Sequence, residues 1–339
     1  MAKRLGKQTI VFEKDVALLN SACCVGKDEG NGPLAKTFDR IFYDEYIGQK
    51  TYEAAESVLQ KEAIGEVLKK ENLTPNDIDI AIMGDLLDQS IASTFAIKDF
   101  SIPHFSVFSA CSASALGLGI GAVLVENGAA NSAICVASSH FCTAERQFRF
   151  PLNYGSKRTP NSQRTVTGAG AFLLSSQKNA PEIRAVTFGK VKDYDITDAN
   201  NMGAAMAPAA ADVIKAFFQD SGKKPDEYDL ILTGDLGVIG SKLVIKLLQK
   251  EGIDISNRHD DCGLMIFDLE DEKSAAGGSG CGCSASVFAG HIMRKLKSGE
   301  IKKMLFCATG ALLSPTSQNQ GLSIPSIAHL LEIEGVKND

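Results

Sequence analysis

The sequence predicts an α/β fold made of two copies of one unit. Residues 110–114 read Ala-Cys-Ser-Ala-Ser, and residues 282–286 read Gly-Cys-Ser-Ala-Ser. In each copy a second cysteine follows after 24 positions, at Cys135 and Cys307, so both cysteine pairs share an offset of 172 (283 − 111 and 307 − 135). Earlier in each half a β-rich run ends in Gly-Asp, in DIDIAIMGDLL and in EYDLILTGDLG. Self-similarity of this kind indicates an internal duplication.

The first half contains the elements of that unit in order. Apolar alternation in residues 1–13 predicts an opening strand, and the polar, Gly- and Pro-containing segment 26–40 predicts a loop. Residues 53–72 have the spacing of a helix with one apolar face, and the strand that follows ends at Asp85. The carboxylate therefore stands at the end of a buried strand, where it is a candidate site residue.

Cys111 stands where a short strand meets a helix. Segment 105–108 is apolar and β-like, and Leu116, Ile120 and Leu124 recur at helical spacing after the cysteine. A cysteine at a helix N-terminus faces the positive end of the helix dipole, which favours thiolate, and its small neighbours let a ligand approach. Cys111 is therefore the leading candidate for a functional residue. The alternative is a small buried cysteine in a tight turn.

Polar side chains follow the next predicted strand, residues 133–139. Because ligands of open α/β sheets gather at the carboxyl ends of strands, His140 is a candidate base or hydrogen-bond donor, with a surface turn histidine as the alternative. Arg146 and Arg149 stand beside two phenylalanines. Guanidinium groups bind carboxylates and stack on rings, so this pattern suits an anionic or aromatic ligand, although arginines at a subunit contact have the same pattern.

A polar stretch at 175–181 marks the boundary between the halves, which we place at 1–178 and 179–339. In the second half a helix is predicted over residues 210–221. It is preceded by the small-residue stretch 200–211, which would either line a pocket or allow close helix packing, packing being the commoner role.

The second half also carries an insertion. Asp235 and Cys283 are 48 positions apart, whereas Asp85 and Cys111 are 26 apart. The extra residues include Arg-His-Asp-Asp-Cys at 258–262. One histidine beside adjacent acids gives poor metal geometry, so no metal site is predicted there.

Composition excludes several function classes. The chain has 339 residues, 44% of them apolar and 22% charged, as expected of a globular protein with ample core. A net charge of −6 disfavours nucleic acid or anionic lipid as the main partner. The nine cysteines lack zinc-type spacing and indicate a reducing compartment. The uncharged run 100–125 has the length of a membrane span, but its proline, histidine, serines and glycines favour a buried strand and helix.

The duplicated unit and its Ala-Cys-Ser-Ala-Ser motif resemble the thiolase superfamily, particularly its ketoacyl synthase III-like branch. Segments such as GKQTIVFE, YDLILTGDL, HDDCGLMI and ATGALLSPT extend a closer resemblance, to the stage V sporulation protein AD family of spore-forming bacteria, over nearly the whole chain. This resemblance implies a thiolase fold of five αβαβα layers and a homodimer. It implies a protein that binds dipicolinic acid and helps load it, with calcium, into the forespore.

The family resemblance also implies partners and a location. Other stage V sporulation protein A components are the implied partners, and through them a cytoplasmic-type soluble protein would be held peripherally at the inner forespore membrane. The sequence itself contains no lipid-anchor motif.

The sequence departs from condensing enzymes at their catalytic positions. Those enzymes pair the cysteine with a histidine and with an asparagine or second histidine; this chain has Asp235 at the place of the histidine and Cys281 at the place of the asparagine. An ionised carboxylate cannot donate a hydrogen bond to an oxyanion, and a thiol donates weakly. Losing one such donor costs ~100-fold or more in rate. The sequence therefore favours binding over catalysis; the alternative is an acyltransferase or condensing enzyme with Cys111 as nucleophile.

We therefore expect a dipicolinic acid pocket without a cofactor or metal site of its own, in which Cys111 is a vestigial nucleophile and calcium arrives with the ligand. The expected lining residues are Asp85, Cys111, His140, Asp235, Cys281, Arg146 and Arg149. Two aspartates would repel a dianion unless calcium bridges them or an arginine compensates their charge.

Overall fold

The computed structural model describes residues 2–148, 159–177 and 179–336. The strands are β1 (Lys3–Leu5), β2 (Thr9–Val11), β3 (Ala17–Val25), β4 (Arg40–Ile41), β5 (Ile80–Gly84), β6 (His104–Ser106), β7 (Ser132–Ser139), β8 (Arg164–Thr165), β9 (Gly168–Ser175), β10 (Glu182–Phe188), β11 (Leu230–Thr233), β12 (His259–Asp261), β13 (Gly278–Ser279), β14 (Lys303–Ala311) and β15 (Ser326–Glu334). The helices are α1 (Lys27–Gly30), α2 (Tyr52–Lys70), α3 (Ile91–Ile97), α4 (Ala113–Glu126), α5 (Phe141–Phe148), α6 (Met202–Ser221), α7 (Gly237–Lys250), α8 (Cys262–Met265), α9 (Cys281–Val287), α10 (Met293–Lys297) and α11 (Pro315–Asn319).

The order of the strands shows the duplication directly. Hydrogen-bonded neighbours follow the order β12-β11-β14-β15-β10-β3-β9-β7-β5-β6. The first-half series β6-β5-β7-β9-β3 is thus mirrored by β12-β11-β14-β15-β10. In each series the three outer strands are parallel and the next strand is antiparallel to them. The predicted α/β class and the internal repeat are both confirmed.

Three apolar clusters divide the fold into five layers. Leu59 of α2 packs in one cluster with Ile134, on the outer face of the first-half strands. A second cluster surrounds α4 and α9 between the two sets of strands and includes Leu118 and Phe306. The third covers the outer face of the second-half strands with α6 and includes Phe217. The layers therefore run helix, strand, helix, strand, helix, with the two cysteine-bearing helices in the middle.

The second cysteine of each repeat is not structurally equivalent, contrary to the shared sequence offset. Met83 pairs with Val136, and Thr233 pairs with Cys307. Met83 and Thr233 each stand just before Gly-Asp, so Cys307 corresponds to Val136 and not to Cys135. Side chains alternate along a strand, so a one-residue shift reverses the face. Cys135 accordingly faces the middle layer and Cys307 the outer one.

Local predictions held for most elements, with differences at the edges. The predicted helix 53–72 is α2, but the opening strand is the two short strands β1 and β2, and the loop 26–40 contains the short helix α1. The stretch 200–211 lies mainly in α6, where Gly203 approaches α7 so closely that a Cβ there would lie 2.4 Å from a backbone oxygen. The uncharged run 100–125 forms β6 and most of α4. Within the residues described, no helix combines the length and apolarity needed to cross a membrane.

Candidate ligand pocket around Cys111

Cys111 lies in a tight turn between β6 and α4. A single 3₁₀ turn, Ala110–Ser112, leads directly into the helix. Ala110 has a φ of +45°, a left-handed conformation that is strained for a residue with a Cβ. The turn places Cys111, which is only 6% exposed, at the end of α4 where backbone N–H groups and the helix dipole are positive. The predicted position of Cys111 at a helix N-terminus is confirmed.

A small, mainly apolar pocket opens over Cys111. Residues from both halves line it: Leu86, Phe108, Ala110, Cys111, Ala144, Thr165, Met202, Ser279, Ala311 and Leu313. Thr165 and Ser279 supply the hydroxyl groups. Of the residues that the structure describes, neither a lysine nor an arginine lines this pocket.

Asp235 lies directly behind the cysteine and is fully buried. Its carboxylate accepts hydrogen bonds from Thr309 Oγ1 at 2.7 Å, from Gly280 N at 2.9 Å and from Ser279 Oγ at 3.3 Å. The Cys111 thiol donates to the same carboxylate. Burial raises the pKa of Asp235, while these hydrogen bonds lower it in part. The structure thus brings two of the predicted site residues, one from each half, into direct contact.

Cys281 begins α9 on the other side of this contact. Its thiol donates to the backbone oxygen of Ser138 at 2.8 Å. Burial, and then the neighbouring Cys111, raise the pKa of Cys281 well above its usual range. The thiol is therefore protonated and already bonded to a carbonyl, so it presents no hydrogen-bond donor to the pocket.

Asp85 is buried on the outer side of the first-half strands and does not line the pocket. Its carboxylate accepts from Leu87 N at 2.9 Å, from Ser93 N at 2.9 Å and from Ser93 Oγ at 2.6 Å. These donors close the loop after β5 onto α3. Burial raises the pKa of Asp85. In this fold Asp85 organises a loop, because its oxygens are already occupied.

His140 also points elsewhere. Its Nε2 donates to the backbone oxygen of Glu45 at 2.9 Å, its Nδ1 accepts from Cys142 N at 3.2 Å, and its ring lies 5.4 Å from that of Tyr52. Burial lowers the pKa of His140. The histidine is buried, which corrects the surface-turn alternative, but it lies in a neighbouring cleft and not among the residues that line the Cys111 pocket.

The duplication explains why His140 is displaced from Cys111. The carboxyl end of each central strand meets the cysteine turn of the other half: Gly282 N donates to Ser139 Oγ at 3.1 Å, and Gly310 lies against the Ser109 backbone. Cys307 corresponds to Val136 in the strand register. Ala311 lies four residues after Cys307 and His140 four residues after Val136, so Ala311 is the counterpart of His140. Ala311 lines the Cys111 pocket, as the symmetry requires.

Of the two predicted arginines, Arg146 does not supply positive charge to the pocket. Arg146 on α5 forms an ion pair with Glu53 of α2, with Nη1 and Oε1 3.2 Å apart. It is exposed and directed toward α2. Arg149 lies outside the described residues.

Sequence reasoning missed several lining residues because they are apolar. Met202, Leu313 and Phe108 have no chemical signature in the sequence, although Met202 stands in the small-residue stretch for which a pocket was one of two predictions. Ala311 would have been found by applying the repeat to His140 with the observed strand register.

Comparison with known proteins agrees with this architecture. The family model described as Stage V sporulation protein AD (SpoVAD) matches residues 6–334. The chain belongs to this family. It is 43% identical over 327 residues to the Stage V sporulation protein AD of Bacillus subtilis (strain 168), with 96% of each chain covered. It is therefore a member of a sporulation family.

Solved structures of condensing enzymes show the same fold at low identity. The 3-oxoacyl-[acyl-carrier-protein] synthase III of Aquifex aeolicus VF5 has a TM-score of 0.57 and 14% identity, over 94% of this chain and 99% of that one. An OleA variant of Xanthomonas campestris has a TM-score of 0.56 and 14% identity, over 98% and 99% of the two chains. These similarities establish the thiolase fold.

Proposed function

We propose that this protein binds dipicolinic acid, pyridine-2,6-dicarboxylate, in the pocket over Cys111, for uptake into the developing spore. Membership of a sporulation family supports the biological setting. The observation that carries the proposal is that the pocket over Cys111 is retained while a buried carboxylate takes the place of the catalytic histidine. That carboxylate, Asp235, is held by donors of its own fold and lies beside the cysteine.

The same contact argues against the alternative, a condensing enzyme. In condensing enzymes the nucleophilic cysteine is paired with a histidine, whereas the Cys111 side chain hydrogen-bonds Asp235. Asp235 is saturated by donors from its own fold, and the Cys281 thiol is bonded to a carbonyl. Neither side chain is free to stabilise an oxyanion, so the pocket suits binding better than catalysis.

The chemistry of the pocket lining suits a small aromatic ring with polar edges. Leu86, Phe108 and Leu313 provide apolar walls for the ring, and Thr165 provides a hydroxyl donor for a carboxylate oxygen. The N-terminal end of α4, immediately after Cys111, adds a positive dipole. A few polar groups in an apolar pocket fix the orientation of such a ligand.

Calcium accompanies the ligand in this proposal as its chelate. The expected bridge between Asp85 and Asp235 is not supported, since the oxygens of both carboxylates are taken by internal donors and Asp85 lies away from the pocket. Among the described residues no cluster of three His, Cys, Asp or Glu side chains is arranged to hold a metal ion. A neutral chelate enters an apolar pocket at lower desolvation cost than a free dianion does.

We also propose that the chain forms a homodimer through the first-half edge of the sheet. Strand β6 is exposed along its whole length, whereas its counterpart β12 is half-buried or buried. Phe105, Phe108 and Phe95 are each about half exposed in this region. An uncovered sheet edge beside exposed aromatic rings favours pairing with a second copy.

The partnership with other stage V sporulation protein A components, and attachment to the inner forespore membrane through them, is a further part of the proposal that rests on family membership. Fractionation of sporulating cells with and without those components tests it. Loss of the protein from the membrane fraction when they are absent is the expected result, and unchanged recovery contradicts it.

Isothermal titration of the purified protein with dipicolinate tests the main proposal. We expect saturable binding that weakens by tenfold or more in Ala311→Phe, which fills the pocket, and that persists in Cys142→Ala, a cysteine outside the pocket. Adding calcium should strengthen binding, and a calcium chelator should reverse this effect. Absence of heat from the parent protein, followed by turnover of an acyl-CoA substrate that requires Cys111, would establish the enzyme alternative instead.

A further inference from the structure

A buried chain of hydrogen bonds joins β15 of the second half to the cysteine turn of the first. His329 Nε2 lies 3.1 Å from Ser109 Oγ, which lies 2.6 Å from Ser112 Oγ. Ser112 Oγ in turn donates to the backbone oxygen of Ser109 at 2.7 Å. The three side chains are at most 4% exposed, so water does not compete for these bonds.

The partners fix the position of every proton in this chain. Gly189 N donates to His329 Nδ1 at 3.3 Å, so Nδ1 is an acceptor and the ring proton sits on Nε2. His329 therefore donates to Ser109, whose hydroxyl donates to Ser112, whose hydroxyl donates back to the Ser109 carbonyl. Burial lowers the pKa of His329 to about 4, which keeps the ring neutral and this direction intact.

This chain of bonds spans the strained residue. Ser109 and Ser112 flank Ala110 and Cys111, and Ala110 has a φ of +45°. A left-handed residue with a Cβ persists only where its surroundings hold it in place. Ser109 and Ser112 tie the two ends of the turn together, and His329 anchors them to a central strand of the other half.

We propose that His329 is a positioning residue for Cys111, holding the Ala110 turn through Ser109 and Ser112 so that the thiol stays on Asp235 at the floor of the pocket. This inference rests on the proposed function, because it concerns the same pocket. It has a readout that does not depend on dipicolinate, namely the accessibility of the Cys111 thiol.

The experiment compares His329→Leu, His329→Gln and Ser109→Ala with the parent chain. The alkylation rate of Cys111 by iodoacetamide is followed by mass spectrometry of its peptide, beside dipicolinate titration and thermal melting. We expect His329→Leu and Ser109→Ala to raise the alkylation rate about tenfold, because a freed turn exposes the thiol and removes it from Asp235. His329→Gln retains an N–H donor for Ser109 and should restore a rate near that of the parent.

His259→Leu is the matched control. His259 also has a pKa lowered to about 4 by burial, but its Nε2 hydrogen-bonds Thr233 Oγ1 at 3.0 Å, away from the cysteine turn. We expect it to lose stability without a change in Cys111 alkylation.

Folded His329→Leu and Ser109→Ala variants that alkylate at the parent rate would overturn the proposal. If His329→Leu does not fold, the alkylation rate of Ser109→Ala alone tests the proposal. Failure of the parent to bind dipicolinate would overturn the proposed function, while the alkylation rates still test the role of His329.

Discussion

The Cys111 thiol, from the first half of the chain, donates a hydrogen bond to the Asp235 carboxylate of the second half. In the thiolase-type condensing enzymes that the fold resembles, the cysteine must become a thiolate to attack an acyl group. Here the neighbour of the cysteine is a buried carboxylate. Because both residues are buried and Asp235 accepts three further hydrogen bonds, the arrangement is built into the fold.

Asp235→Asn is predicted to increase the reactivity of Cys111. Removing the negative charge beside the thiol makes its ionisation less costly, so alkylation by iodoacetamide should accelerate roughly tenfold. The variant should also lose about 1–3 kcal/mol of stability, because the amide cannot accept every existing donor. Asp261→Asn is the control: Asp261 is equally buried and accepts from Leu236 N at 2.8 Å and Gly237 N at 2.9 Å, without a contact to Cys111. Equal acceleration in both variants would contradict the specific role of Asp235.

Gly310→Ala is predicted to disturb the cysteine turn from the opposite half. A Cβ at this position would lie 2.4 Å from Ser109 O and 3.1 Å from Ser112 N, so the turn must shift. We expect a loss of about 1–3 kcal/mol in the free energy of unfolding, together with weaker dipicolinate binding. At Gly65, inside α2, an added Cβ meets nothing within 4 Å. Gly65→Ala should therefore stabilise the protein by about 0.5–1 kcal/mol, as measured by denaturant unfolding. A neutral Gly310→Ala would show that the two halves are not in tight contact here.

The stability of the protein is predicted to fall as pH rises from about 4.5 to about 8, partly through Glu56. Burial, and then the nearby Asp85, raise the pKa of Glu56 from its ordinary value of 4.5 to about 8. The folded state thus keeps a proton that the unfolded chain releases above about pH 4.5, so the stability contributed at low pH is lost through this window. Glu56→Gln, which mimics the protonated acid, should flatten the decline of the unfolding free energy with pH by on the order of a few kcal/mol.

Glu66 provides the control for that measurement, since it lies on the solvent side of the same helix and pairs with Lys69 at 3.4 Å. Glu66→Gln should leave the pH dependence as in the parent. An unchanged slope in Glu56→Gln would mean that Glu56 ionises in the folded state much as it does in the unfolded chain.

Phe105→Asp is predicted to separate the homodimer. A charge on the exposed strand β6 opposes strand pairing between copies, because it would have to be desolvated at the interface. Light scattering coupled to size exclusion should then report a monomer. Tyr194→Asp is the control, as Tyr194 is similarly exposed but lies in the second half, after β10. A parent protein that is already monomeric would dismiss the dimer, and a dimeric Phe105→Asp would place its interface elsewhere.

The sequence alone determined the fold and the position of Cys111. Two Gly-Asp strands and two Cys-Ser-Ala-Ser turns revealed the duplicated unit, because repeats and strand-to-helix junctions are local patterns. The aspartate at the place of the catalytic histidine was likewise visible from the resemblance to condensing enzymes. These features depend only on residue type and on spacing along the chain.

Only the tertiary structure decided which strand end faces which cysteine. Asp85 and His140 were predicted at the pocket because each follows a strand, and Arg146 because it stands beside phenylalanines. Their hydrogen bonds go instead to Ser93, to Glu45 and to Glu53. The physical reason is that the repeats exchange partners across the middle layer. The end of β14 covers Cys111 and brings Ala311 to its pocket, while the end of β7 meets α9.

The register of the strands and the anchoring by His329 were also decided in three dimensions. A one-residue shift sends Cys135 and Cys307 to opposite faces, although their spacing in the sequence is identical. In the sequence, His329 is a polar residue within an apolar segment, and nothing there indicates its role. His329 and Ser109 are 220 residues apart in sequence, but packing of the two halves brings them within hydrogen-bond distance. Such contacts depend on how the two halves pack together, which local spacing does not encode.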